Sequence, residues 1–295
     1  MKNFVVVLSL LLISVAVQAQ RGWELGGWAG TAFYFGDLNT SFDLSRPGPA
    51  LGMVARYNFN ERICLKFSAN GTQVGADDAD SDNAFQRSRN LSFRSLVIDG
   101  TTQLEFNFLP YYHGSKDQFY TPYLLGGFSV FYFNPQTQFN DEWVALRPLG
   151  TEGQFRGEEY FTIQGAATIG AGFKIDLNYR WSVNIECSVR KLFTDFFDDV
   201  SGVYADKDDI ESLRGETAVL LSDRSWEVQD IVDQAIGEPG RQRGNSKDND
   251  TAQIQIIQFP LQERAEQVAA LSRRPSRYGA ATPWSLANWT RVRNS

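Results

Sequence analysis

The chain has 295 residues, 14% of them aromatic with Phe dominant, and a formal net charge of −7. That acidic balance excludes the basic footprint by which nucleic acid is bound. One histidine and two cysteines leave too few ligands for a Cys/His metal cluster, so neither a metal nor any other cofactor is expected.

The N-terminus reads Met1-Lys2, an apolar run over 4–17, and then Val17-Gln18-Ala19. A positive charge, a short apolar core and small residues at the end make a secretory signal over 1–19. Its removal takes away Lys2 and leaves the mature chain slightly more acidic. The run is short for a spanning helix, and no later segment is long and apolar enough to span as one. The mature chain is therefore soluble or crosses a membrane as a barrel.

Strand-like segments follow. Residues 23–35 place Trp23, Leu25, Phe33 and Phe35 on one parity and Gly26, Gly30 and Ala32 on the other. Residues 50–59 put Leu51, Met53, Ala55 and Tyr57 on one face, with Gly52, Arg56 and Asn58 pointing inward. Over 62–73, Ile63, Leu65 and Phe67 alternate with Cys64, Lys66 and Ser68. A polar stretch, 75–89, leads to 93–108, where Leu96, Ile98, Leu104 and Phe106 oppose Asp99, Gln103, Glu105 and Asn107. Residues 120–133 are apolar on both faces and have no assignable orientation. A long loop over 135–158 is expected, and then a strand over 160–176, with Ile163, Ile169 and Phe173 against Thr168 and Lys174. The seventh strand, 180–192, sets Trp181, Val183, Ile185 and Val189 against Asn184, Glu186 and Arg190. After a very long loop, 194–250, the weak alternation of 251–259 is the candidate eighth strand, ended by Pro260.

This is period-2 patterning throughout, with connections alternating between short and long. It predicts an all-β fold, a small antiparallel up-and-down transmembrane barrel of about eight strands with long loops on one side and short turns on the other. A soluble sandwich shares the alternation. The charges Lys66, Asp99, Glu105, Lys174, Glu186 and Arg190 all lie opposite the apolar face. In a barrel they would pair across a narrow lumen as one charge network. Cys64 faces inward and Cys187 outward by the same parity, an arrangement that does not allow a disulfide.

At Gly36-Asp37-Leu38-Asn39, Arg56-Tyr57-Asn58-Phe59-Asn60, Arg89-Asn90-Leu91-Ser92-Phe93-Arg94-Ser95, Glu105-Phe106-Asn107-Phe108, Asp198-Asp199-Val200-Ser201-Gly202 and Gln242-Arg243-Gly244-Asn245 the chain resembles the PorG-like outer-membrane barrels of Bacteroidota. The resemblance covers about residues 22–250. It implies an integral outer-membrane protein of the type IX secretion system that associates with the periplasmic ring proteins PorK and PorN. The alternative is a general OmpA-type barrel for envelope integrity or adhesion. The chain departs from the family pattern at its end. Residues 20–260 form the barrel domain, but 261–295 carry six Arg against two Glu and no Lys. A divergent tail or a shifted reading frame near Asp250 would account for this, and either leaves closure by the eighth strand open.

No enzyme is expected. His113 stands alone in a turn, without the nucleophile and orienting acid that Ser–His catalysis needs. Asp78, Asp80 and Asp82 begin like a calcium loop, but Asn83 and Arg89 stand where Gly and Glu are required, so a solvated loop is expected. The partners are then membrane lipid and the ring proteins, with no nucleic acid and no small-molecule substrate. Tyr111, Tyr112 and Tyr179, in the short connections, are candidate partner contacts or members of a headgroup girdle.

Overall fold

The computed structural model describes residues 23–111, 115–178, 181–228, 236–245 and 250–259. The strands in chain order are β1 (Trp23–Phe35), β2 (Gly48–Asn58), β3 (Ile63–Asp77), β4 (Ser92–Asn107), β5 (Tyr120–Phe139), β6 (Glu142–Ala145), β7 (Ile163–Asp176), β8 (Ser182–Leu192) and β9 (Thr251–Phe259). Strands next to one another in the chain pair antiparallel except β6 and β7, which both pair with β5. β9 lies between β8 and β1. The ring β1-β2-β3-β4-β5-β7-β8-β9 therefore closes on itself, giving an antiparallel up-and-down barrel of eight strands with β6 as an appended hairpin arm. The weak alternation of 251–259 is the closing strand. It sets Gly27 opposite Phe259 and Phe35 opposite Thr251.

Two expected loops are partly regular. β5 runs on to Phe139, and Asn140 and Asp141 then take φ of 50° and 64° before β6 begins. Two left-handed residues in succession make the hairpin turn whose twist matches that of the strands it joins. Likewise, β3 continues to Asp77. The polar stretch after it holds a helix, α1 (Ala84–Arg89), whose Asn83 side chain accepts from the Phe85 amide and whose end at Asn90 is left-handed. The long connection after β8 carries α2 (Lys207–Arg214) and α3 (Glu216–Ser222). Among the described residues no helix is long and apolar enough to cross a membrane.

Strand parity decides what each face meets. On β4, Leu96, Ile98, Leu104 and Phe106 are exposed while Asp99, Gln103 and Glu105 are buried. Cys64 is buried, Cys187 is exposed and no disulfide joins them. β5 now takes an orientation, with Thr121, Tyr123, Leu125, Ser129, Phe131 and Phe133 inside and Leu124, Phe128, Val130 and Tyr132 outside. Its inner side is apolar because its far half meets a packed core rather than charges. The exposed apolar side chains continue all round the described wall, with Met53 76% exposed and Ile169 70% exposed. From Leu96 to Phe106, β4 advances about 33 Å, or about 25 Å of height at the usual barrel tilt.

The described residues of the shorter connections, 59–62, 108–119 and 177–181, share one end of the barrel. The described residues of 36–47, 78–91, 140–162 and 193–250 share the other. Residues 1–22, Tyr112, His113, Tyr179 and the tail 261–295 lie outside the described residues.

Candidate functional site

The short-turn half of the lumen is filled by charge. Glu105 is fully buried and forms the hub. Arg56 grips it with Nε and Nη2 at 2.8 and 3.1 Å, Lys174 approaches to 2.5 Å, and Lys66 lies at 3.5 Å. Lys66 donates to both oxygens of Glu186 at 2.9 and 2.7 Å, and the Tyr123 hydroxyl donates to Glu186 at 2.7 Å. Arg56 also reaches Glu24 at 3.2 Å. Asp99 and Arg190 form a separate pair at 2.8 Å. There Asn70 and Thr101 donate to Asp99, and the Trp28 indole donates to Asn70. All six residues singled out by parity are thus buried in the lumen, Lys66, Glu105, Lys174 and Glu186 in one network and Asp99 with Arg190 in the other.

Arg56, Glu24 and Tyr123 belong to the first network without having been picked for it. The inward parity of Arg56 was a usable signal, whereas Tyr123 sat in a strand that could not be oriented. Its placement depends on its neighbour across the ladder. Tyr123 is in register with Gly172, and a Cβ there would come within 2.6 Å of the tyrosine ring. Gly52 plays the same part for the Trp28–Asn70 bond, since a Cβ there would lie 2.5 Å from the indole nitrogen. Within these two networks four cations face four carboxylates, and such pairing is the condition under which buried charges are tolerated. Tyr111, proposed from sequence as a partner contact, is instead turned into the barrel mouth. It is 7% exposed, its hydroxyl donates to Asp176, and its ring lies 5.9 Å from Lys174 Nζ. A side chain so enclosed offers no docking anchor.

The long-loop half is built differently. Phe197, from the connection after β8, inserts among Tyr34, Phe93, Phe131 and Phe133 at ring distances of 5.9, 6.3, 5.8 and 5.3 Å. Over this aromatic plug the loops knit into a cap. The Tyr34 hydroxyl is 2.5 Å from Asp198 and 2.8 Å from Asp250. Arg89 forks onto Asp78 with two bonds of 2.7 Å and donates to the Asp37 carbonyl at 2.8 Å. Asp37 in turn accepts the Asn245 amide at 2.9 Å. Arg243, fully buried, donates to Glu152 at 3.0 Å and to the Asp199 carbonyl at 2.6 Å. Asp199 accepts from the Thr151 and Tyr160 hydroxyls at 2.5 and 2.7 Å.

Asp78, expected in a solvated loop, is fully buried, because Arg89 supplies the fork that ionised burial requires. Burial pushes Asp199 up to about 6 despite the nearby Arg243. Burial, and then the charge of Asp37, raises Asp198 well above the ordinary carboxylate range. Burial and then the charge of Asp198 raise Asp250 in the same direction. Motifs far apart in sequence, Gly36 to Asn39, Arg89-Asn90, Asp198 to Gly202 and Gln242 to Asn245, converge in this cap. Among the described residues no group of three or more His, Cys, Asp or Glu side chains could hold a metal ion.

Fold and packing together define a small antiparallel β-barrel with an apolar exterior and a plugged interior. The chain belongs to the family described as a domain of unknown function, DUF6089, whose profile matches residues 1–229. No curated protein matches it. Among solved structures it is similar to Neisserial surface protein A (NspA), at 9% identity and a TM-score of 0.41, over 82% of this chain and 97% of that one. It is also similar to Ail, the attachment invasion locus protein of Yersinia pestis, at 8% identity and a TM-score of 0.38, over 81% and 96%. The outer membrane protein OprG from Pseudomonas aeruginosa matches at 11% identity and a TM-score of 0.33, over 82% and 94%. At these scores the barrel assignment rests on the strand pairing of this chain itself.

Proposed function

We propose that the protein is a non-enzymatic, integral outer-membrane barrel that conducts nothing and serves as a structural component of the type IX secretion machine, organising its periplasmic ring. The observation that carries the membrane part is the inversion of a soluble fold. Large apolar side chains cover the exterior while paired charges fill the inside. An apolar surface this extensive needs an apolar surrounding, and a closed barrel satisfies its backbone there. An eight-stranded interior filled by side chains leaves no channel.

The secretion role rests on the resemblance to PorG-like barrels, and with it come PorK and PorN as partners at the short-turn end. Its support here is that four of the six shared motifs, scattered from Gly36 to Asn245, assemble into one cap. Three measurements test the reading. The mature protein extracted in detergent should migrate differently on a gel before and after boiling, and recovery of soluble protein without detergent would defeat the membrane assignment. A clean deletion should block export of cargo bearing the C-terminal type IX signal, and ring proteins should co-purify with the barrel. Unchanged export would leave an envelope-integrity or adhesion barrel as the better account.

A further inference from the structure

The outer wall carries one feature that the plugged barrel does not use. A groove of about 270 Å³ opens on the outside of β2, β3 and β4 at their long-loop ends, lined by Arg46, Gln73, Asp77, Arg94, Gln138 and Trp143 among others. Arg94 has the parity of Leu96 and Ile98, so it belongs to the apolar exterior face and not to the lumen. It stands two residues beyond Leu96, about 7 Å along the strand, where the hydrocarbon layer gives way to headgroups. An arginine deeper on that face would be strongly unfavourable, and near the interface the penalty nearly vanishes.

Its guanidinium lies 3.5 Å from the centre of the Trp143 ring. Stacking of this kind fixes the plane of the fork and leaves its N–H edge available to an anion. Among the described residues Arg94 forms no ion pair, whereas Arg46 is engaged by Asp77 and Asp80. The groove thus presents one stacked cation, with the Gln73 and Gln138 amides beside it.

Directly beneath Gln73 the wall is thin. Gly71 and Gly100 face outward, and a Cβ on either would meet nothing. In register, Gly71 lies between Leu51 and Ile98, and Ala69 lies between Met53 and Gly100. A shallow apolar slot therefore runs down from the groove between large exposed side chains. A cation above and an acyl-sized slot below are the two halves of one amphiphile's outline.

We propose that this surface binds a phosphorylated lipid of the outer leaflet, with its phosphate on Arg94 over Trp143 and an acyl chain along Ala69 and Gly71. The proposal rests on the membrane reading above, and its test separates the two. The full mature protein is placed in phosphatidylcholine nanodiscs doped with bisphosphorylated lipid A or with its dephosphorylated form, and lipid retained on release into detergent is read by native mass spectrometry. Wild type should retain the phosphorylated form about tenfold more than the dephosphorylated one, as loss of a charge-assisted contact implies. Arg94→Gln should lose that preference, and Gly71→Leu should reduce retention of both forms. No preference in wild type, or an undiminished preference in Arg94→Gln, overturns the proposal. Displacement of the lipid by millimolar inorganic phosphate would assign the site to the free anion and overturn the lipid. Heat-modifiable migration reports insertion independently. A variant that inserts but loses preference supports the lipid site, and a wild type that never inserts fails the membrane reading and this one with it.

Discussion

The lumen and the cap both bury many polar side chains, and they do so by opposite means. In the lumen, charge meets charge. Arg56, Lys66 and Lys174 surround Glu105, Lys66 also holds Glu186, and every member projects from a regular strand. In the cap, Asp198 and Asp250 share one tyrosine hydroxyl, while Arg89 and Arg243 spend several of their donors on backbone carbonyls. Rigid strands allow oppositely charged groups to be set at fixed heights across a narrow space. Loops must also satisfy their own backbone, so their charged side chains are diverted to that task and some carboxylates remain short of cations.

The sharpest way to break this contrast is to remove the hub. Glu105→Ala leaves Arg56 and Lys174 buried without their main counter-charge, and the barrel should lose about 3–5 kcal/mol in reversible unfolding from detergent. An unchanged midpoint would mean that water reaches the lumen and that the pairing is worth no more than a surface contact.

The cap should respond instead to loss of its aromatic anchor. Phe197→Ala removes the ring that touches four others, and about 3 kcal/mol of local stability should go with it. The expected signature is faster proteolysis within 193–250 while the heat-modifiable barrel persists. Simultaneous loss of both would show that the two regions form one cooperative unit.

A smaller effect should separate them by pH. Asp199 titrates near 6 in the folded cap against an ordinary 3.8, and Asp198 and Asp250 shift the same way. The closed cap therefore holds protons that an opened loop releases. By linkage, cap stability falls as pH rises from about 4 through 6 and beyond. Hydrogen exchange in the cap should be slower at pH 5 than at pH 7.5 after correction for intrinsic rates. Protection that grows with pH would show that Arg89 and Arg243 hold these carboxylates ionised, as the lumen does with its own.

The same contrast explains what could be read from sequence. Alternation placed Lys66, Asp99, Glu105, Lys174, Glu186 and Arg190 inside, because a strand residue has only two faces to choose between. It also made 251–259 the candidate eighth strand, but left open whether that strand closes the barrel, which only the pairing with β1 and β8 decides. The cap was invisible to that logic. Nothing in the spacing of Asp78 and Arg89, or of Asp37 and Asn245, says that they meet, since loop geometry is set by distant partners. The arm formed by β6 was missed although Asn140-Asp141 is a legitimate two-residue turn, because the surrounding stretch shows too little alternation to stand out. Tyr111 was misplaced outright. Aromatic residues near a membrane rim are ordinarily girdle or contact residues, and only the neighbouring Asp176 and Lys174 reveal that this one faces inward.

The shared grip of Asp198 and Asp250 on Tyr34 bears on how the chain assembles. β9 can reach β1 only after a connection running from 193 to 250 has been brought back to its starting point, a closure whose entropic penalty grows slowly with length but must be met before any seam contact forms. The carbonyl of Asp250 accepts from the Leu192 amide at 3.1 Å and its carboxylate meets Tyr34, so both neighbours of the final strand are already marked one residue before it begins. A slip of one position along the seam would exchange the inner and outer faces of the whole strand. Tyr34 thus acts as an index stop. It fixes Thr251 opposite Phe35, and the remaining pairs can zip from that point toward the short-turn end in a single register.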